Sequence, residues 1–239
     1  MLCLKVNSTD IKTNFGKYLD LVQDEDILIT RNGKLVAKLM KYYKHEEVIK
    51  EGAPDYSYHN IEMTYEEFME MYENTDGRFE YLNRVVYALA SPSHIHQHII
   101  MQIVGEFYNY FKDKKCKPYV APYDVYFETS ETKDVVQPDL FVMCDQENIR
   151  NDRYYGVPSL IIEVLSPSTR NKDLVKKLNL YLKAGVIEYI IIDPKNENVI
   201  HWNFNNLEVE KCNTLNKNEV FNSNVYEGLE FDISKIFNQ

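Results

Sequence analysis

The sequence predicts an α/β (α+β) protein: a mixed sheet flanked on both faces by helices, preceded by a small helix-plus-hairpin unit. Three observations carry this. Leu160–Leu165 and Ile187–Ile192 are short, almost wholly apolar runs of the length and β-branched content of strands buried on both faces. Two stretches, Ile99–Phe111 and Leu174–Leu182, carry apolar residues at helical spacing. Near the start, Asn32-Gly33 stands between two apolar runs, the strongest short-range hairpin signal because both positions tolerate positive φ.

Composition supports a globular chain. With 239 residues, 44% hydrophobic and 27% charged, disordered, collagenous and low-complexity classes are excluded. No apolar run approaches the roughly 20 residues needed to cross a bilayer, and Met1-Leu2-Cys3-Leu4-Lys5 turns polar too soon for a secretory signal. The expectation is a cytoplasmic protein without a membrane partner. Cys3, Cys116, Cys144 and Cys212 form neither a zinc knuckle nor a redox CxxC, and are expected as reduced thiols.

The elements follow in order. Ser8 or Thr9 is the expected N-cap of a helix carrying Ile11, Phe15, Tyr18, Leu19 and Val22, which Asp24-Glu25-Asp26 ends. Ile27–Thr30 and Leu35–Leu39 make the hairpin around Asn32-Gly33. This unit of about forty residues has too little core to stand alone and should dimerise or dock. Lys44 to Asn60, with Gly52 and Pro54 and no clear period, is expected as linker. We therefore divide the chain into residues 1–44, a linker 45–60, and a domain 61–239. In that domain Thr64 and Glu67 make a capping box for a short helix to Tyr72. Phe79–Tyr87, Tyr119–Phe127 and Val135–Val142 are strand-like. The tail from Asn196 is expected as a hairpin and a final strand.

Chemistry is suggested by acids inside apolar strands. Asp139 follows Gln137-Pro138 and precedes Leu-Phe-Val; Glu163 lies within Leu-Ile-Ile-Glu-Val-Leu. A buried carboxylate is costly unless it is paired or holds a metal. Two oxygen ligands with open water positions suit Mg²⁺ or Mn²⁺. The plainer reading puts each acid at a strand end, meeting solvent or an arginine. Glu80 is a third acid, opposite Phe79 and Tyr81 on an alternating strand, where solvent is the simplest surrounding. On the helix after Glu163, at about 100° per residue, Lys177 borders the stripe of Leu174, Leu178, Tyr181 and Leu182. Lys172, Lys176 and Lys183 fall on the opposite face. Lys177 thus either leans its ammonium into a pocket at the strand ends or snorkels at the core edge. His94, His96 and His98 open a helix on which only His94 and His98 share a face, so a polar helix start is expected rather than zinc. No GxGxxG, GxxxxGK[ST] or GxSxG occurs.

At these residues the chain resembles two families. Residues 61–239 resemble the Uma-type (Uma-two) restriction endonucleases of the PD-(D/E)xK superfamily. The matching stretches include Arg78–Asn83, Ser91-Pro92-Ser93 with His96-Gln97, Ala121–Val125, Val136–Leu140, Ile162–Thr169, Lys177-Leu178 through Tyr181, and Glu188-Tyr189 to Asp193-Pro194. The resemblance implies a restriction-endonuclease-like fold, with Glu80, Asp139 and Glu163 as the acidic metal site and Lys177 as the lysine. In that superfamily the lysine usually follows the second acid by two residues; here that position is Leu165. Residues 1–44 resemble prevent-host-death (Phd/YefM-type) antitoxins through Ser8–Gly16, Ile27–Lys34 and Val36-Ala37. That implies a homodimer on operator DNA, with Lys12 and Arg31 at DNA-contacting positions and a near-palindromic site. A toxin partner is left open, because the nuclease-like domain stands where the antitoxins carry their toxin-wrapping tail.

Charge bears on both. The net charge is −10, split as +2 over residues 1–50 and −12 over the rest. An acidic surface repels phosphate unless cations intervene, which an acidic, metal-loaded pocket provides. The expected function is a Mg²⁺- or Mn²⁺-dependent DNA endonuclease carried by an antitoxin-like dimer. The rival is a DNA-binding regulator whose nuclease fold is inert.

Overall fold

The computed structural model describes residues 4–22, 27–31, 34–39, 61–128, 132–167, 169–170 and 172–238. The expected linker, the Asn32-Gly33 turn, the Asp24–Asp26 break and Cys3 lie outside them. The chain divides into two compact units, Met1–Gly52 and Ala53–Gln239.

The first unit holds β1 (Leu4–Asn7), α1 (Ser8–Thr13), α2 (Phe15–Leu21), β2 (Ile27–Arg31) and β3 (Lys34–Leu39). β2 and β3 pair antiparallel, with Arg31 opposite Lys34. β1 pairs parallel to β2, a strand the sequence does not announce because four residues are too few to show a period. The helix cap is Asn7, whose side chain accepts from the Thr9 N–H, one position ahead of the expected Ser8 or Thr9. The helix also breaks at Asn14. Ile11, Tyr18 and Val22 are buried with Val6 and Ile27. Phe15 and Leu19, expected on the same stripe, are exposed because the break disturbs the phase between the two pieces.

The second unit runs β4 (Ile61–Glu62), α3 (Tyr65–Asn74), β5 (Phe79–Leu82), β6 (Val85–Ala88), α4 (His94–Phe111), β7 (Lys117–Val120), β8 (Val125–Glu128), β9 (Lys133–Val136) and β10 (Leu140–Met143). It continues with β11 (Ile149–Arg150), β12 (Arg153–Tyr154), β13 (Leu160–Val164), a π-helical segment (Lys172–Lys177), α5 (Leu178–Ala184), β14 (Glu188–Asp193), β15 (Asn198–Asn205), β16 (Glu208–Asn216), β17 (Val220–Asn222), β18 (Glu230–Asp232) and α6 (Ile233–Phe237). A six-stranded sheet has the order β16-β15-β14-β13-β10-β7, and a seven-stranded sheet β11-β12-β8-β9-β5-β6-β4. Both are mixed. In the first, only β13 and β14 pair in parallel, joined by the crossover through the π segment and α5.

Three clusters of side chains fix the layers. Ile99, Ile103, Phe107 and Phe111 recur every fourth residue along α4 and pack, with α6, on Leu140, Leu160, Ile162 and Ile190. The opposite face of the six-stranded sheet carries Phe141, Ile161, Tyr189 and Ile191. It packs on Leu180 and Tyr181 of α5 and on Leu82, Val125 and Val136 of the seven-stranded sheet. α3, opened by the Thr64–Glu67 capping box as expected, covers the far face of that second sheet with Phe68 on Phe79, Tyr81 and Tyr126. Phe107→Ala is expected to cost about 3–5 kcal/mol, measured as the shift in the urea unfolding midpoint.

Two expected strands are each two strands in different sheets. Tyr119–Phe127 divides into β7 and β8, and Val135–Val142 into β9 and β10. Both interruptions hold a proline, Pro122 and Pro138, which lacks the N–H a ladder needs. Tail residues 233–237 form α6 after the last strand, an element not expected. The reading of the cysteines as thiols is corrected for Cys116 and Cys144. Met143 lies opposite Lys117 on the antiparallel β10–β7 pair, so the next positions, Cys116 and Cys144, face each other, with Cα atoms 4.1 Å apart, and are joined as a disulfide. Spacing along the chain does not reveal that register. Among the described residues, no helix is long and apolar enough to cross a membrane.

Candidate active site

Four segments of the second unit meet where the two sheets face each other. Asp139 stands immediately before β10 and Glu163 lies in β13. Leu140 pairs with Ile162 on these antiparallel strands, so Asp139 falls directly opposite Glu163. Side chains two apart share a face. Glu163 therefore sides with Ile161 on the inner face toward α5, while Asp139, just before β10, reaches a side chain of α4. The Val164 N–H donates to Asp139 Oδ2 at 2.7 Å, and His96 Nε2 lies 3.0 Å from the same oxygen. Glu163 Oε1 accepts from Lys177 Nζ at 2.7 Å and from the Tyr181 hydroxyl at 2.8 Å.

Glu80 does alternate with Phe79 and Tyr81, as expected, but its face is not solvent. It points inward between the sheets and is wholly buried. Its Oε1 takes Lys177 Nζ at 2.8 Å and the Gln137 N–H at 3.0 Å, and its Oε2 takes Lys172. Gln137 is in turn held by Arg78 Nε at 2.9 Å and by Asp124 at 2.9 Å.

The lysines reach this point through the π segment. In a regular α-helix, residues five apart stand about 140° from each other. Bonding from i to i+5 brings them onto one side, and here Lys172 and Lys177 both contact Glu80. The reading of Lys172 on the opposite face is therefore corrected: 100° per residue does not hold across a segment that is not α-helical. Lys177 adopts the inward alternative and is buried, with Asp173 Oδ1 3.6 Å away.

Electrostatics follow from crowding. Four carboxylates (Glu80, Asp139, Glu163 and Asp173) face two ammonium groups, a surplus of two negative charges when all are ionised. Burial pushes the Glu163 carboxyl well above the usual carboxylate range; Lys177 opposes this, while Asp139, Asp173 and Glu80 add to it. Burial works against ionisation of Glu80 too, but Lys172 and Lys177 overcome it and hold its pKa at about 2. Burial would lower Lys177, yet Glu163, Glu80 and Asp173 lift it well above the ordinary lysine value.

This donor set fits a hard divalent cation only in a particular form. Among the described residues, no three His, Cys, Asp or Glu side chains are disposed to hold an ion together. Both Glu80 oxygens are already engaged. Asp139 and Glu163 each have one oxygen committed to protein donors and sit in a region of surplus negative charge. Two carboxylates with the remaining positions left to water and phosphate is the arrangement Mg²⁺ accepts, since it dehydrates reluctantly. A closed, all-protein cage is not what the residues offer.

His96 was not among the expected site residues. It lies three, four and seven residues before Ile99, Ile100 and Ile103, so the buried stripe of α4 carried back one turn lands on it, a signal present in the sequence. His98 instead bonds the Asn238 carbonyl at 2.7 Å, and His94 is exposed. Lys12 on α1 and Arg31 at the end of β2, both exposed, belong to the first unit.

The architecture of the second unit has a counterpart among solved structures. It is shared with the crystal structure of a putative nuclease belonging to DUF820 from Anabaena variabilis, at TM-score 0.62 and 18% identity over 73% of this chain and 97% of that one. Residues 65–234 match the model of Uma2, described as Putative restriction endonuclease, and the chain belongs to that family. Residues 4–55 match Antitoxin Phd_YefM, type II toxin-antitoxin system. An uncharacterized protein of Synechocystis sp. is 27% identical over 128 residues, 53% of this chain and 66% of that protein, just under two thirds of its length.

Proposed function

We propose that the second unit hydrolyses DNA phosphodiester bonds with Mg²⁺ or Mn²⁺, and that the first dimerises and binds DNA. The observation that carries the reading is the Asp139–Glu163 pair, opposed across β10 and β13 with Lys177 bonded to Glu163. Asp139 and Glu163 are the cation's ligands. His96 and the Val164 N–H fix the Asp139 carboxylate, and Tyr181 fixes Glu163. Bound there, the cation supplies Lewis-acid charge for the phosphate and lowers the pKa of its water. Lys177 stabilises the negative charge that develops on the attacked phosphate. Glu80 orients this shell from behind, through Lys177. The lysine thus arrives from the helix, while Leu165, at its usual place, packs in the core.

The test is plasmid and oligonucleotide cleavage with Mg²⁺ or Mn²⁺. Cutting that EDTA stops and added Mg²⁺ restores supports the reading. A protein that binds DNA tightly yet cuts no substrate supports the inert-fold regulator, which the engagement of Lys177 by three acids also favours.

In the first unit, exposed Phe15 and Leu19 offer apolar surface for a second copy, and Lys12 and Arg31 offer cations for phosphate. Changing both cations to Ala is expected to weaken DNA binding and to lower the salt slope by about 0.9 for each phosphate no longer neutralised, with the dimer intact by analytical ultracentrifugation. Unchanged affinity and slope would leave the unit as a dimerisation module alone.

A further inference from the structure

We propose that Lys172 is a positioning residue of this site: it neutralises Glu80 and so leaves the charge of Lys177 directed at the Asp139–Glu163 pair. The inference rests on the nuclease reading above and deepens it.

The Glu80 carboxylate has two oxygens and two lysines. Oε2 is taken by Lys172; Oε1 is shared by Lys177 at 2.8 Å and the Gln137 N–H at 3.0 Å. Glu80 and Lys172 therefore form a complete neutral pair in the interior. With Lys172 gone, Lys177 would be the one ammonium left to Glu80 among the described residues, and it already serves Glu163 at 2.7 Å and Asp173 at 3.6 Å. One positive charge would then be divided among three buried acids, and less of it would act at the Asp139–Glu163 side.

Two features converge on this pairing. A second lysine is buried beside the first, although burying a charge is costly without a close partner. The segment carrying both is a π-helix, a rare form frequently found at functional sites. The Lys172 ammonium also lies 5.4 Å from the centre of the Tyr87 ring, an attractive cation–π placement. With both Glu80 oxygens engaged, Glu80 acts on the lysines rather than on a cation.

The experiment compares wild type, Lys172→Met and the double variant Glu80→Gln/Lys172→Met. It reads DNA cleavage, Mn²⁺ affinity by EPR titration, and thermal unfolding. Lys172→Met is expected to lower kcat about 10- to 100-fold, with KM and the Mn²⁺ dissociation constant changed less than about threefold. The double variant removes the unpaired acid as well as the lysine, and is expected to regain at least about tenfold of that loss. A purely structural role would make loss and recovery of cutting follow thermal unfolding; a kcat loss and recovery read at a temperature where all three proteins are folded marks positioning.

Lys172→Met that cuts like wild type overturns the inference. So does parallel loss of Mn²⁺ binding, or a folded double variant no better than the single. If the single variant fails to fold, the charge-balanced double variant decides alone: cutting within about tenfold of wild type upholds the inference and inactivity overturns it. Wild type that neither binds Mn²⁺ nor cuts overturns the nuclease reading, and this inference with it.

Discussion

Asp139→Ala is expected to abolish metal-dependent cleavage, with a loss of about 10³-fold or more, because a bound cation is worth several kcal/mol of charge stabilisation. The same change should weaken Mn²⁺ binding by EPR and leave the fold in place. Asp139 is the more open member of the pair, its side chain 18% exposed against 4% for Glu163. Its loss removes an acceptor from the Val164 N–H and from His96. A variant that still cuts with Mg²⁺ would remove Asp139 from the site. One that unfolds would show instead that its bonds to Val164 and His96 hold the two strands together.

Lys177→Met should separate binding from cutting. Cleavage is expected to fall by about 10²–10³-fold, the usual cost of removing one group that stabilises developing negative charge. Mn²⁺ should bind at least as tightly as in wild type, because an opposing positive charge has gone and Glu163 Oε1 is released. Stability should fall by up to about 3–5 kcal/mol, the scale for breaking a buried ion pair. The decisive measurements are a single-turnover rate at saturating Mn²⁺ beside a Mn²⁺ binding isotherm. Weakened Mn²⁺ binding would place Lys177 in maintaining the shell, not in the chemistry.

The sequence was most legible where a period ran for long enough. α4 announced itself through four apolar residues at intervals of four, and β13 and β14 through unbroken apolar runs. The resemblance assigned Glu80, Asp139, Glu163 and Lys177 to one site, and the second unit gathers them between its sheets. What stayed hidden depended on departures from regular geometry. The π segment changed the angle per residue just where Lys172 was being placed on a helical wheel. The face opposite Phe79 and Tyr81 is covered by a second sheet, which no alternation within β5 could disclose. The Cys116–Cys144 bond depended on the register between β7 and β10. His96 is different, since its position was derivable from the α4 stripe; the run of three histidines drew attention to their mutual spacing and away from that stripe.

Gln137, Pro138 and Asp139 are the whole passage from one sheet to the other, between β9 and β10. Gln137 gives its N–H to Glu80 in one sheet; Asp139, two residues on, faces Glu163 in the other. Side chains in strands alternate with a period of two, so one added or deleted residue here would take Asp139 out of its place opposite Glu163, or else drag β10 out of step with β13. The length of this passage is thus as strict a requirement as its letters. In evolution or in engineering, Gln137 and Pro138 should accept substitution far sooner than this passage accepts an insertion.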